Sequence, residues 1–404
     1  MPKLASLKTC TGCMACVDSC KFDSLKLSYS INGFIIPKVD SNKCVECGKC
    51  EIVCPILNKE TSKNELSNAK AYGAWSINDK IREKSTSGGI FGQIAFDFIT
   101  KNKGYVIGAS LIQNSVKHIV ISHVPDIQKL QGSKYLQSET NGIYLKTLEL
   151  LQKGEHVLFS GTPCQIQGLY SYIRNRNNYE NLFTIEVVCH GVPSTSLYKY
   201  NIEKNNVDKV ISFRDKVDGW HKGSAAMTYI LRGGKKIRLK PKNHDFFLNS
   251  FGRDLSLRLS CYNCTFSTLP RVSDITLADY WGIKDWENEW EKGVSLVIVN
   301  NEKGRQLLNN PNIVKHPTEW DKCLPKNPRI YNCKNLHSLL SYSNRLNFIL
   351  KTFPYSVNYF LLSARISNKN LIWLPYKILV KIIGAIVKFY NRRTLNKMLT
   401  KLKS

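Results

Sequence analysis

Eight of the fourteen cysteines lie within the first 54 residues, in two runs of the same spacing, C-x2-C-x2-C-x3-C. The runs are Cys10, Cys13, Cys16 and Cys20, then Cys44, Cys47, Cys50 and Cys54. Thiolates at this spacing ligate two 4Fe-4S clusters, and the fourth cysteine of each run binds the other cluster. We therefore predict one cluster on Cys10, Cys13, Cys16 and Cys54, and a second on Cys44, Cys47, Cys50 and Cys20. Two zinc sites are the alternative, but zinc ribbons favour two C-x2-C pairs without a third cysteine at the same step.

The elements that hold these cysteines are short. Residues 25–39 predict two strands around an Asn32-Gly33 turn, which is a hairpin signal. A unit of about 60 residues buries little surface alone, so the clusters would also serve as its core. We predict an α+β dicluster ferredoxin domain over 1–57 and a polar linker over 58–70. From 71 to 320, apolar strands alternate with helical stretches, which predicts an α/β domain.

Four further cysteines in this second domain form another candidate site. One predicted strand ends shortly before Cys164 and a second ends shortly before Cys189. Strands joined by a crossover helix are normally parallel neighbours, so both cysteines would lie at the carboxyl edge of one sheet, where α/β proteins bind ligands. A C-x2-C pair brings the number to four, as a third 4Fe-4S cluster requires. The four thiolates are Cys164, Cys189, Cys261 and Cys264. The alternatives are a structural zinc on the pair, or no metal, while Cys323 and Cys333 are predicted to be plain thiols.

A glycine motif follows the linker. Residues 85–89 have the sequence S-T-S-G-G and precede a stretch whose apolar residues fall on one helix face. Serine and threonine before a helix can cap it, and glycines allow close backbone approach. A helix N-terminus also favours an anion such as a phosphate. The alternative is a capped tight turn without a ligand.

Taken together, residues 70–285 resemble the coenzyme F420 hydrogenase/dehydrogenase beta-subunit family. The matching stretches are STSGG at 85–89, GSKYLQS at 132–138, FSGTPCQIQGL at 159–169, VVCHGVPS at 187–194, FRDK at 213–216, GW at 219–220 and LSCYNCTFSTLPRVSDITLADYWGI at 259–283. With the ferredoxin module in front, the arrangement is similar to that of subunits that oxidise reduced coenzyme F420. The resemblance implies an FAD in the large domain, a cluster on the third set of cysteines, and electron exchange between two-electron and one-electron carriers.

Several residues are candidates for contact with that flavin or cluster. The flavin candidates are Ser87, Gly88, Gly89 and Lys134. The alternative for Lys134 is a solvated surface lysine. His190 is predicted to hydrogen bond beside the cluster rather than to donate a proton. Asp274 and Asp279 either orient a substrate or cap loops. Family members often carry glycine where this chain has Ala278, which bears on how closely a flavin packs.

The net charge of +27 is unevenly distributed along the chain. No acidic residue follows Asp321, and the last fifth holds 16 of the 58 Lys and Arg. Residues 371–390 are mostly apolar, with basic residues on one predicted helix face. Such a helix lies in an anionic membrane surface. We therefore predict a basic amphipathic helical tail over 321–404. Packing on the large domain is the alternative. Nucleic acid is disfavoured because no nucleic-acid motif is present.

These observations predict an iron–sulfur flavoprotein oxidoreductase that moves electrons between a two-electron substrate and a redox protein partner such as a ferredoxin. Adaptor subunits with clusters but no flavin turnover are the alternative class. A zinc-binding nucleic-acid protein is disfavoured by the cysteine spacing. Clustered cysteines without an apolar signal segment are typical of a reducing compartment. We therefore expect a cytoplasmic protein, peripheral on the inner membrane face. Fold-level resemblance does not identify the substrate.

Overall fold

The computed structural model describes residues 1–58, 62–174, 179–220, 226–240, 246–252, 254, 256–332 and 400. Cys333 and most of the predicted basic tail, 333–399 and 401–404, lie outside these residues. Within them, no helix is long and apolar enough to cross a membrane.

The N-terminal domain has four short elements. They are helix α1 (Ala15–Asp18), strands β1 (Leu25–Tyr29) and β2 (Ile35–Val39), and helix α2 (Lys49–Ile52). The strands pair antiparallel, so the predicted hairpin is confirmed. The sequence duplication extends to the backbone, because Gly12 and Met14 adopt the left-handed conformation and so do Glu46 and Gly48, 34 positions later. In each half, the residue before the helix is one of these left-handed residues.

Eleven further strands build the large domain in the part of the chain described. They are β3 (Lys70–Ser76), β4 (Tyr105–Ile112), β5 (Ser115–Ile121), β6 (Val157–Gly161), β7 (Leu182–Val187), β8 (Val207–Ser212), β9 (Met227–Leu231), β10 (Lys236–Leu239), β11 (Ile275–Asp279), β12 (Ser295–Val299) and β13 (Ile313–Pro317). The main sheet has the order β13-β3-β12-β11-β7-β6-β4-β5. Its central strands β11, β7, β6 and β4 are parallel, and the outer pairings are antiparallel. The domain is therefore mixed α/β, with a separate antiparallel sheet of β8, β9 and β10.

Helices cover both faces of the main sheet. They are α3 (Asp79–Glu83), α4 (Ile90–Asn102), α5 (Ile127–Leu130), α6 (Ile143–Gln152), α7 (Pro163–Ile173), α8 (Thr195–Lys204), α9 (Phe246–Gly252), α10 (Glu302–Leu308) and α11 (Trp320–Cys323). Successive side chains of a strand point to opposite faces. Accordingly, Val106 packs with α4 and α5 in one core, whereas Ile107 packs with α6 and α7 in another. The apolar face predicted for the helix after the glycine motif is buried in α4.

Hydrogen bonds hold the ferredoxin domain against the large domain. The Asp18 carboxylate accepts from the backbone N–H groups of Gly142 and Tyr144, 2.6 and 3.0 Å away. The Thr140 hydroxyl donates to the Cys13 carbonyl at 2.7 Å. The predicted linker is also held where it is described, because the Asn64 amide donates to two carbonyls of the segment before β11. The two domains therefore share one packed interface.

Candidate functional site

The first cysteine group comprises Cys10, Cys13, Cys16 and Cys54. These residues line one pocket together with apolar neighbours that include Leu4, Pro37 and Ile56. Burial raises the pKa of Cys10, Cys13 and Cys16, and charge on neighbouring thiols of the group would raise each pKa further. The fold therefore brings the fourth cysteine of the second run to the first three of the first run. Four buried or half-buried thiolates at one place need a cationic group to offset their charge.

Two unpartnered polar groups bear on what this pocket fits. The Thr11 hydroxyl and the Arg258 Nε are buried and have no hydrogen-bond partner among the residues described. Thr11 lies between Cys10 and Cys13, and buried donors without a partner are rare in proteins. Sulfide and thiolate sulfurs would serve as acceptors for such donors. The thiols, the apolar walls and these donors therefore fit a 4Fe-4S cluster.

The second cysteine group comprises Cys20, Cys44, Cys47 and Cys50. Cys50 and Cys20 contact the same small hydrophobic core as Cys16, whereas Cys47 is exposed. Burial raises the pKa of Cys20, but hydrogen bonds from Ser24 and from nearby backbone N–H groups outweigh it, so that the pKa is lowered. The second group thus lies nearer the surface than the first.

The third cysteine group comprises Cys164, Cys189, Cys261 and Cys264. Strands β6 and β7 are parallel neighbours, as predicted. Cys164 lies in the first turn of α7, directly after β6, and Cys189 follows β7 by two residues. The remaining two cysteines lie in and directly after a 3-10 helix, Leu259–Asn263. Three segments distant in sequence therefore meet at the carboxyl edge of the parallel strands.

The thiols of the third group lie within electrostatic range of one another. Burial raises the pKa of Cys164 to about 12 and that of Cys261 to about 11, with charge on Cys264 adding to both shifts. Burial also raises the pKa of Cys189, and the other three thiols add to it. Within the described ranges, no three His, Cys, Asp or Glu side chains are grouped as ligands of a single ion. In a 4Fe-4S cluster each thiolate binds a different iron, and four half-buried, mutually interacting thiols fit such a cluster.

The first and third groups are neighbours across the domain interface. A Cβ added at Gly168 of α7 would lie 3.2 Å from the Cys13 Sγ. Charge on Cys164, at the start of the same helix, contributes to the raised pKa of Cys13. The missing side chain at Gly168 therefore allows the ferredoxin loop to pack directly on the helix that carries a thiol of the third group.

A cavity of about 950 Å³ opens between four segments of the large domain. The lining segments include residues 82–86, 128–134, 209–217 and 291–292. Eight Lys and Arg residues line it against four Asp and Glu residues. Its volume is within the range of cofactor and ligand sites, and its charge favours an anionic ligand.

Two half-buried lysines contribute to this charge. The Lys134 Nζ donates to the carbonyls of Leu130 and Gln131, both at 2.8 Å, and burial lowers its pKa to about 7. The Lys216 Nζ donates to backbone carbonyls, including that of Ser87 at 3.1 Å, and burial lowers its pKa to about 8. An anion in the cavity would stabilise the charged form of both side chains. The cavity therefore fits a phosphate-bearing cofactor such as a flavin, and Lys134 is not a solvated surface lysine.

The other three flavin candidates take part in packing. The Ser87 hydroxyl donates to the Val294 carbonyl at 2.9 Å. A Cβ on Gly88 would lie 2.4 Å from the Ala74 carbonyl oxygen, and Gly89 precedes α4 with φ 83°. These residues fasten the start of α4 to β3 and β12. They are not among the residues that line the cavity, which the preceding Ser85 and Thr86 do line.

Aromatic side chains connect the cavity with the third group. The Tyr135 ring lies 6.3 Å from that of Phe213, which lines the cavity, and 4.9 Å from that of Phe251. The Phe251 ring lies 4.8 Å from that of His190, the residue after Cys189. The His190 Nε2 lies 2.7 Å from the Asp254 carboxylate, in keeping with the hydrogen-bonding role predicted for it.

The aspartates considered from the sequence have different surroundings. Asp274 directly precedes β11, and its carboxylate accepts from the backbone N–H and the hydroxyl of Thr184 at 2.7 and 2.9 Å. Asp279 forms an ion pair with Arg214 of the cavity wall and accepts from the Trp220 indole at 3.0 Å. Asp274 therefore ties β11 to β7, and Asp279 positions Arg214. Ala278 packs in the core around Trp220.

Sequence reasoning missed several residues at these places. Tyr135 and Gln137 belong to the GSKYLQS stretch, and Lys216 belongs to the FRDK stretch, although only Lys134 was singled out from either. The presence of a basic or an aromatic residue inside these two stretches could have identified Tyr135 and Lys216 as candidates. Arg258, three positions before Cys261, had no signal beyond its closeness to the C-x2-C pair.

Two family models match parts of the chain, and two known proteins are similar to it. Residues 9–57 match the 4Fe-4S dicluster domain, and residues 154–315 match the C terminus of the coenzyme F420 hydrogenase/dehydrogenase beta subunit. The uncharacterized protein MJ1349 of Methanocaldococcus jannaschii is 24% identical, with 73% of this chain and 84% of that protein covered. A chain of the F420-reducing nickel–iron hydrogenase complex of Methanosarcina barkeri has a TM-score of 0.47 and 16% identity, covering 74% of this chain and 96% of that one.

The fold and the cysteine groups define an iron–sulfur electron-transfer protein with a ferredoxin domain joined to a mixed α/β domain. Residues 154–315 carry the C-terminal domain of the coenzyme F420 hydrogenase/dehydrogenase beta subunit behind a 4Fe-4S dicluster domain over residues 9–57, as the motifs predict.

Proposed function

We propose that the chain is an oxidoreductase in which a small redox molecule in the cavity exchanges electrons with a protein partner at the ferredoxin domain. One observation carries the proposal, namely the order of the sites. The cavity is joined to the third group by Tyr135 and Phe251, the third group adjoins the first through Cys13, and the second group lies nearest the surface with Cys47 exposed. This order runs from a ligand-sized cavity to an exposed end.

Three 4Fe-4S clusters and one FAD are the cofactors that we propose. The third group would hold the third cluster, and the cavity would hold the flavin. When bound, the clusters supply one-electron carriers, and the flavin supplies exchange between two-electron and one-electron chemistry. Lys134 and Lys216 would offset the negative charge of the flavin's phosphates. The walls of the first pocket and the buried third group keep water away from the thiols.

Iron and flavin content of the anaerobically purified full-length protein test the proposal. We expect about twelve iron atoms and one flavin per chain, since each 4Fe-4S cluster binds four thiolates. Replacing Cys164 by alanine should remove about four irons. Cys323→Ala is the matched control, because that buried thiol lies in α11 and belongs to none of the three groups. Its iron content should equal that of the wild type.

Two results would contradict parts of this proposal. About eight irons in the wild type, unchanged in Cys164→Ala, would exclude the third cluster. Twelve irons without flavin, and no flavin uptake on reconstitution, would favour the adaptor class over an enzyme. If flavin binds, its bleaching by reduced coenzyme F420, NAD(P)H or reduced ferredoxin identifies the electron donor.

We also propose that the protein lies peripherally on an anionic membrane, on the sequence of the basic tail alone. Basic residues contribute about 1 kcal/mol each near such a surface. The full-length protein should float with anionic vesicles at low salt and not with neutral vesicles, and deletion of 370–404 should abolish flotation. Equal flotation of the truncated protein would rule out the tail as the anchor.

A further inference from the structure

Arg258 is a buried arginine at the junction of the two domains. Its side chain is 2% exposed, and its backbone precedes the 3-10 helix that carries Cys261. The guanidinium donates from Nη1 to the Cys10 carbonyl at 3.1 Å and from Nη2 to the Gln137 side chain at 2.6 Å. It also donates to the Ile35 carbonyl on β2. One side chain of the large domain therefore holds both the first C-x2-C loop and the hairpin of the ferredoxin domain.

The guanidinium lies within electrostatic range of thiols from two groups. Burial lowers the pKa of Arg258, and charge on Cys10 and Cys13 of the first group and on Cys164 and Cys261 of the third group opposes that shift. The thiols that interact most strongly with this positive charge therefore belong to the first and third groups.

Within the described part of the chain, no carboxylate neutralises the charge of Arg258. Among the residues described, no Asp or Glu forms an ion pair with it, and its Nε has no hydrogen-bond partner. Buried charges in proteins are normally paired. A Cβ on Gly12 would lie 2.7 Å from the Arg258 Nη2, so the glycine provides the space for the guanidinium beside the first loop. The buried anions available to this cation are the two cysteine groups themselves.

We infer that Arg258 is a positioning residue that supplies the shared counter-charge of the first and third clusters and raises the reduction potential of both. The inference rests on the proposed function, since it assumes that both groups hold clusters. Each reduction adds one electron, and thus one negative charge, to a cluster, with no bond made or broken at Arg258. A fixed positive charge in a low-dielectric interior favours the more negative, reduced form. Both clusters should therefore respond to the loss of this one charge, and the second-group cluster should not.

Redox titration of the full-length protein with dithionite, monitored by electron paramagnetic resonance, tests the inference. Arg258→Gln keeps a hydrogen-bond donor and loses the charge. In this variant, the ratio of reduced to oxidised cluster at fixed potential should fall at least tenfold for two clusters, equivalent to about 59 mV for a one-electron couple. The second-group cluster, assigned by its loss in Cys47→Ala, should keep its wild-type potential.

Arg258→Lys is the second variant, and it makes the charge adjustable. A buried lysine loses its proton readily, unlike arginine. At pH 6 the two potentials should lie near those of the wild type, and they should fall towards those of Arg258→Gln as the pH rises. This readout remains decisive if the glutamine variant loses a cluster during purification.

Three results would overturn the inference. They are unchanged potentials in Arg258→Gln, an equal shift of all three clusters, and a lysine variant whose potentials change with pH no more than those of the wild type. Failure of the proposed function is distinguished by the iron count of the wild type. Three clusters with potentials insensitive to residue 258 refute only the role of Arg258, whereas a wild type without the third cluster refutes the proposed function.

Discussion

Replacing Arg271 by methionine is expected to destabilise the large domain strongly. Arg271 and Glu186 form an ion pair in which the side chains are 1% and 0% exposed. The guanidinium also donates to the carbonyls of Phe266 and Ile330 at 3.2 and 3.1 Å, and Thr276 donates to the Glu186 carboxylate at 2.8 Å. The substitution leaves a buried carboxylate with one remaining donor and frees two buried carbonyls.

The expected size follows from the burial. Removing one partner of a buried ion pair costs about 3–5 kcal/mol, because the remaining charge stays desolvated. For a domain of about 150–250 residues, each kcal/mol shifts the midpoint of thermal unfolding by about 2–4 °C. Arg271→Met should therefore lower the midpoint by roughly 6–20 °C. The double variant Glu186→Leu with Arg271→Met should recover much of this loss, since apolar replacement of both partners is often nearly neutral.

Thermal unfolding followed by far-ultraviolet circular dichroism measures these shifts, with all variants heated at one scan rate because cluster loss makes unfolding irreversible. Arg305→Met is the matched control. Its partner Glu302 lies three positions away on the surface, and the side chains are 44% and 67% exposed. Such a pair contributes about 0–1 kcal/mol. If Arg271→Met and Arg305→Met unfold within about 2 °C of each other, the reasoning from burial is wrong.

Three further predictions concern the glycine motif, the cavity and the second cysteine group. Gly88→Ala should destabilise the protein by about 1–3 kcal/mol in urea unfolding, since its Cβ would overlap the backbone of β3. Gly252→Ala is the control, because a Cβ added there would have no atom within 4 Å, and its free energy of unfolding should stay unchanged. Inorganic pyrophosphate should bind the cavity less tightly as the pH rises from 6 to 8.5, because the pKa of Lys134, about 7, and that of Lys216, about 8, lie within that range and loss of either proton removes positive charge. Lys134→Arg should reduce this pH dependence in calorimetry, and Lys129→Arg, on the cavity rim, should not. On brief exposure to air, the second-group cluster should lose its resonance signal first, because Cys47 is exposed, and simultaneous loss of all signals would contradict this order.

The parts of the fold predicted correctly are those encoded by local patterns. The hairpin around Asn32-Gly33 and the buried face of α4 each depend on residues close together in sequence. The parallel pairing of β6 and β7 was also predictable, because a right-handed crossover through one helix leaves few other arrangements.

The unpredicted parts depend on contacts between distant segments. Strand β11 pairs with β7 across almost ninety residues, which include the separate sheet of β8, β9 and β10, and local periodicity carries no signal for that insertion. The cavity likewise forms only when four segments meet. Ser87 and Gly88 are an example. Their residue types suggest anion binding, whereas in the fold Ser87 hydrogen bonds to the Val294 carbonyl and Gly88 packs against the Ala74 carbonyl.

The difference between the two halves of the ferredoxin domain also arises from distant contacts. Both cysteine runs have the same spacing and the same left-handed positions, so the duplication alone predicts equivalent sites. Among the residues described, the large domain removes that equivalence by donating hydrogen bonds to the carbonyls of the first loop and not to those of the second. Ser260 donates to the Cys10 carbonyl at 3.0 Å, Gln137 to the Gly12 carbonyl at 2.9 Å, and Thr140 to the Cys13 carbonyl at 2.7 Å.

Because these donors take the outward-facing carbonyls of the first loop, that loop becomes interior and its thiols are desolvated, while Cys47 of the equivalent second loop stays exposed. A symmetric duplication thereby acquires a buried end beside the third group and an open end towards solvent. The direction of the proposed electron route is thus set by which loop the large domain covers, and not by any difference between the cysteine motifs.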